Sequence, residues 1–150
     1  MKSLFNQAEY IQIRSRLEKL SSSAMRQWGK MDAAQMLAHC NEGLKHVLGK
    51  VHIEDKSNFI MRTLVKSIVL RAIKKGDLGK SQKTAPAFVI TDTRNFDQEK
   101  QAVLQSLDEL YLKAGHMKFA RHPFFGHFTK DQWGGLQYAH LDHHLRQFSA

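Results

Sequence analysis

The chain has little that would cross-link it covalently or break it into turns. Its 150 residues include one cysteine, Cys40, so no internal disulfide can form and a reducing compartment is the expected home. Two prolines and nine glycines are too few for a turn-rich sandwich and suit helices instead. Long hydrophobic runs are also missing. The greasiest stretch, Phe59 to Ile73, is interrupted by Arg62, Lys66 and Arg71, which leaves it too short and too charged to span a bilayer. The opening Met1-Lys2-Ser3-Leu4-Phe5 lacks the apolar segment of a signal peptide, so a cytoplasmic protein without a membrane span is expected. Acidic residues are the scarcer charge, 14 against 23 Lys+Arg, and the resulting +9 invites an anionic partner. The excess is scattered, however, and only Arg71-Ala-Ile-Lys74-Lys75 forms a cluster. A solvated basic surface is therefore expected, with nucleic acid not among the expected partners.

A chain of this length fits a single domain, residues 1–150, and can bury a core without staples. Periodicity predicts five helical stretches. The first runs from about Gln7 to Ser21 on a stripe of Tyr10, Ile13, Leu17 and Leu20. The second starts at Asp32, an N-cap with Gln35 three residues on to complete a capping box, and ends at Gly49. The third, about Asn58 to Lys75, is apolar round most of its circumference and ends at Gly76. The fourth follows Asn95 and reaches about Ala114, and Thr129-Lys130-Asp131-Gln132 opens the fifth with another capping box. Between the third and fourth, Ala87-Phe88-Val89-Ile90 could be extended, but one short strand makes no sheet. The predicted architecture is all-α, a bundle of four long helices with an added crossover segment.

The fifth helix places His140 and His144 one turn apart on its apolar face, among Trp133, Leu136, Leu141, Leu145 and Phe148. A buried imidazole must find hydrogen-bond partners, and two neutral ones side by side are costly unless something binds both. His39 borders the apolar stripe of the second helix. If the two helices pack face to face, three imidazoles meet and leave an ion with an open position, as in catalytic rather than structural metal sites. Gly43, one turn beyond His39, would leave room for a ligand or for close helix contact, and His46 is an outside candidate. His143, about 100° round the helix from His144, reads as solvent-facing or as a support for the ligands. Cys40 lies within the stripe of Leu37 and Leu44, where cysteine is usually a small buried hydrophobe.

One absence shapes the chemistry. Peptidases of the H-E-x-x-H type carry a glutamate directly after the first histidine, where this chain has Leu141. Asp142 points away from His140, and Glu42 is the carboxylate nearest the expected site. Such a site suits a water or thiol that the metal itself deprotonates. The segment Arg121-His122-Pro123-Phe124-Phe125-Gly126-His127-Phe128 is either a turn that seats the last helix or the lip of the metal pocket.

Trp28-Gly-Lys-Met31-Asp-Ala-Ala-Gln35-Met-Leu37-Ala-His39, followed by His140-x-x-x-His144-x-x-Gln147, resembles the DinB/YfiT-like superfamily of metal-binding four-helix bundles. His-Pro-Phe-Phe-Gly before His-Leu-Asp-His-His-Leu-Arg-Gln-Phe resembles, more narrowly, a bacterial branch of that superfamily whose function is unknown. The likeness spans about Met25 to Phe148. It implies an up-down-down-up bundle, a homodimer, and a divalent metal (zinc or nickel most often) on His39, His140 and His144. It also implies a small-molecule substrate, such as a low-molecular-weight thiol, in transferase or hydrolase chemistry. Two rivals stand beside that expectation. One is a basic module binding through the Arg62–Lys75 helix, and the other is a bundle that has kept the fold without the chemistry.

Overall fold

The computed structural model describes residues 1–80 and 86–150. Among them lie five α-helices: α1 (Gln7–Lys19), α2 (Ala33–Val47), α3 (Lys66–Lys75), α4 (Phe96–Lys113) and α5 (Lys130–Gln147). A π-helical turn, Met61–Val65, runs directly into α3. Both predicted capping boxes form. Asp32 accepts from Gln35 N at 2.8 Å while Gln35 Oε1 accepts from Asp32 N, and Thr129 and Gln132 do the same for α5. Asn95 caps α4 through Gln98 N, and Gly76 ends α3 as its sequence predicts.

Helices α1, α2, α4 and α5 form a closed circuit in which each touches two others: α1 meets α4 and α5, and α2 meets α4 and α5. The face between α2 and α4 is the most extensive. The predicted stripes all turn inward, with Ile13 and Leu17 of α1, Leu37 and Leu44 of α2, Leu107 and Leu110 of α4, and Leu141 and Leu145 of α5 essentially without exposure. Each fully buried leucine contributes about 2 kcal/mol through the apolar area it removes from water. Cys40 is packed in the same core, its Sγ 3.7 Å from Met36 Sδ, where burial pushes the thiol pKa up. It behaves there as an apolar filler.

The chain before α1 closes one end of the bundle. Leu4 is fully buried and its N–H donates to Gly134 O at 2.9 Å. A side chain at Gly134 would collide with Ser3 and Phe5, which explains a glycine inside an otherwise regular helix.

Helix α3 stands apart: among the described elements it touches only α5 and the π-helical turn that leads into it. Of its predicted all-round apolar surface only Ile73 is buried, while Phe59, Ile60, Leu64 and Ile68 are between 56% and 80% exposed. Of the segment that could be extended, Ala87 and Phe88 fall in a turn. Pro86–Phe88 makes a single 3-10 turn, and the described residues contain no strand beyond an isolated bridge between His122 and Gly126. No helix among the described residues is long and apolar enough to cross a membrane.

Candidate metal centre

Packing of α2 on α5 brings together the three histidines singled out by sequence. The ring centroids of His39, His140 and His144 form an equilateral triangle with 4.8 Å edges, and the rings are set edge to face at 72°, 73° and 84°. One nitrogen from each ring lies within 4.8 Å of the other two, and His39 Nε2 is 2.8 Å from His140 Nε2. Nitrogens bound to one tetrahedral zinc sit about 3.3 Å apart, so the triangle is of the right size to close on a single ion.

The hydrogen bonds behind the rings fix which nitrogen is free. Phe88 O can only accept, so His39 Nδ1, 2.9 Å away, carries the proton and Nε2 keeps its lone pair. Gln147 Nε2 donates to Trp28 O at 2.6 Å, which turns Gln147 Oε1 toward His144 Nδ1 at 2.8 Å. His144 Nδ1 is therefore the donor, and its Nε2 faces the cluster with a lone pair. Gly29 leaves room for this clamp, because a β-carbon there would lie 2.5 Å from Gln147 Nε2, and its φ of 83° already favours glycine. On His140, Nδ1 faces the space over Gly43 that it shares with Gln137 Oε1, a buried acceptor with no partner among the described residues. A β-carbon at Gly43 would be 3.6 Å from the His140 ring, an ordinary contact, so this glycine is not needed to make room for a ligand.

Electrostatics keep the three rings neutral. Burial lowers the pKa of His39, although the Phe88 hydrogen bond opposes it. His144 falls to about 3, through burial and then His39, and His140 lies well below 6.5 for the same reason with His144 and His39 as neighbours. Three neutral imidazoles, two of them with Nε2 lone pairs turned into the cluster, suit a divalent ion, so the residues present fit such a group.

Other sequence candidates lie elsewhere. His46 is buried, but its Nδ1 is 3.3 Å from Val51 O and its Nε2 3.1 Å from Arg121 O, so it clamps two loops and is not part of the triangle. His143 is half-buried rather than free in solvent, edge-on to Trp28 with ring centroids at 5.6 Å. Glu42 pairs with Lys45 at 2.9 Å, and Asp142 pairs with Arg16 at 2.5 Å and Arg146 at 3.0 Å. Among the described residues no carboxylate is part of the histidine cluster.

The cluster opens onto a cavity of about 910 Å³. One wall is the α3–α4 connection, with Phe88, Val89 and Ile90, and another is the run before α5, with His122 and Phe124. That run combines both roles expected of it. Phe128 is buried against Trp133 at 5.3 Å between ring centroids, seating α5, while His122 and Phe124 line the cavity. Sequence reasoning missed the Phe88 carbonyl and gave Gln147 no role; the Gln147 position, one turn past His144, was the available signal.

Fold and site together define a helical protein that buries a triangle of neutral histidines at the base of a cavity. Over residues 6–150 the chain matches a family described as "Protein of unknown function (DUF1569)", and it belongs to that family. Neither the curated proteins nor the solved structures contain a match to it.

Proposed function

We propose that the protein is a metal-dependent enzyme of the DinB-like class, with the up-down-down-up helix order of that class and a cytoplasmic location. His39, His140 and His144 are its ligands for a divalent ion, with zinc or nickel the favoured metals. The observation that carries this reading is the set of fixed tautomers: Phe88 O and Gln147 Oε1 each hold an Nδ1–H, so Nε2 of His39 and of His144 is free to bind. A divalent ion held there supplies Lewis acidity that lowers the pKa of a water or thiol in its open position. The chain's own contribution is orientation and an apolar wall. Gln147 keeps His144 turned inward, the Phe88 backbone does the same for His39, and Phe88 and Phe124 give the cavity beside them an apolar lining. With no carboxylate in the cluster, proteolytic general-base chemistry is disfavoured and thiol-dependent transfer or simple hydrolysis is preferred.

Elemental analysis of protein purified without a histidine tag tests the reading. About one zinc or nickel per chain is expected, falling to near zero in His144→Ala and in His140→Ala. Protein that binds neither metal, or variants that retain it, would overturn the assignment.

A second reading is supported by α3, where exposed Ile60, Leu64 and Ile68 lie on the same helix as Arg71, Lys74 and Lys75. An apolar strip of this kind calls for a cover, and a second copy of the chain is the simplest one. Dimerisation through α3 is compatible with the enzyme reading and leaves the cavity free.

A further inference from the structure

His122 is a half-buried histidine for which the metal reading has no use. Its ring is sandwiched among aromatics, stacked on Phe125 at 4.4 Å and 19° and close to Phe128 and Trp133 at 5.2 and 5.6 Å. Its Nδ1 lies 3.2 Å from both Phe124 N and Phe125 N. Backbone N–H groups only donate, so Nδ1 accepts from both and carries no proton. The neutral ring must then be the Nε2–H tautomer, and Nε2–H makes no hydrogen bond to any described residue. Burial, followed by the charges of His46 and Lys66, holds the ring pKa at about 3, with Asp55 opposing more weakly. His122 is thus a donor near neutrality. Turning it into an acceptor would break two backbone hydrogen bonds.

The cavity that His122 lines has a marked charge bias. Lys30 stands on its wall, exposed and with no carboxylate within ion-pair distance among the described residues. None of the described lining residues is an aspartate or glutamate, and residues 81–85 contain neither. Trp28, on the same wall, has a buried Nε1–H that also lacks a partner. The wall therefore offers donors and a cation together with apolar surface from Phe88, Phe124, Val89 and Ile90. No carboxylate among the described lining residues would repel an anion.

We propose that this cavity takes a small carboxylate-bearing ligand with an apolar body, the carboxylate accepting from His122 Nε2–H and its charge answered by Lys30. The apolar body lies against Phe88 and Phe124. This rests on the proposed metal site for its setting and names the ligand class of that site, but neither His122 nor Lys30 belongs to the histidine triangle, so the two donors do not depend on an ion. A carboxylate is favoured over a neutral oxygen because a hydrogen bond to a charged acceptor in a sheltered site is about twice as strong as a neutral one.

Calorimetric titration of benzoate and its neutral isostere benzamide, into metal-free protein and into protein incubated with zinc, tests the proposal, with zinc content measured in parallel. Benzoate is expected to bind roughly tenfold tighter than benzamide in both forms. His122→Phe should abolish most of that preference and Lys30→Gln should reduce it. Nitrogen-15 spectra of the wild-type histidine rings should show His122 protonated at Nε2, with that proton moving on addition of benzoate and not of benzamide. Equal affinity for the two probes, binding of neither, a His122 protonated at Nδ1, or a preference unchanged in Lys30→Gln with an unmoved His122 proton would each overturn the proposal. Should His122→Phe fail to fold, the wild-type spectra and Lys30→Gln still decide. A benzoate preference in protein that takes up no zinc supports the carboxylate site and overturns the metal reading alone.

Discussion

Helices α5 and α3 pack against each other and depart from the usual burial pattern in opposite directions. Helix α5 buries polar groups: Gln137, His144 and Gln147 are all below 9% exposed, and His140 is only partly exposed. Helix α3 and the π-helical turn that runs into it expose apolar ones, with Ile60 and Leu64 more than 60% accessible and Ile68 56%. A buried polar residue and an exposed apolar strip are both more informative than their converses, since each costs stability that a purely structural helix would not give up. On α5 that cost is met for His144 and Gln147, since Gln147 is held between His144 and Trp28 O, while Gln137 Oε1 has no partner among the described residues. On α3 the strip stays open to solvent, uncovered by any described residue. The first departure is therefore answered in large part within the fold, and the second is not.

The contrast can be broken experimentally, most forcefully at α5. Stripping metal with a chelator should lower the thermal midpoint by roughly 10 °C, because saturating binding to the folded state alone contributes about 4 kcal/mol. Scanning calorimetry with and without zinc measures this, and an unchanged midpoint would make the α5 histidines merely structural. Next, Gln147→Ala frees His144 Nδ1 and should weaken zinc binding about 10- to 100-fold, the usual range for a partner behind a ligand. Competition against a chelating dye would show it.

A smaller effect is expected from His122 in metal-free protein. Its pKa is about 3 when folded and 6.5 ordinarily, so the unfolded chain takes up the proton first as pH falls. Its stabilising contribution is whole above about pH 6.5 and declines as pH drops toward 3, by about 2 kcal/mol between pH 7 and 5. Urea unfolding at the two pH values measures the loss, which should shrink in His122→Phe. The smallest effect on stability belongs to α3: Leu64→Lys should change unfolding free energy by less than about 0.5 kcal/mol. The same variant should abolish self-association in sedimentation. A wild type that is monomeric at high concentration would leave the α3 strip to a different partner.

Much of this was legible in the sequence, for identifiable reasons. Capping boxes at Asp32 and Thr129 are local, so both helix starts could be read directly. His140 and His144 are fixed by one helix and were equally readable. His39 needed the packing of α2 on α5, which periodicity implies without specifying rotation. What sequence could not reveal was backbone chemistry, because the carbonyls of Phe88, Val51 and Arg121 carry no side-chain signature. They decide that His39 turns its Nε2 inward and that His46 is spent on loops. His143 is a half-buried edge of the cavity against Trp28, a position that helix spacing alone does not distinguish from a solvent-facing one. The apolar surface of α3 was visible as a surplus, but its exposure depended on α5 being its one neighbour among the helices.

His39 takes its orientation from a main-chain oxygen, and this has a consequence for how the protein can diversify. A carbonyl survives any substitution that preserves the 3-10 turn at Pro86–Phe88, so the tautomer of His39 does not depend on which side chains occupy positions 88 to 91. Those same positions form one wall of the cavity. The wall can therefore be rewritten for a new occupant while the histidine cluster remains unchanged, which separates the inheritance of chemistry from the inheritance of specificity.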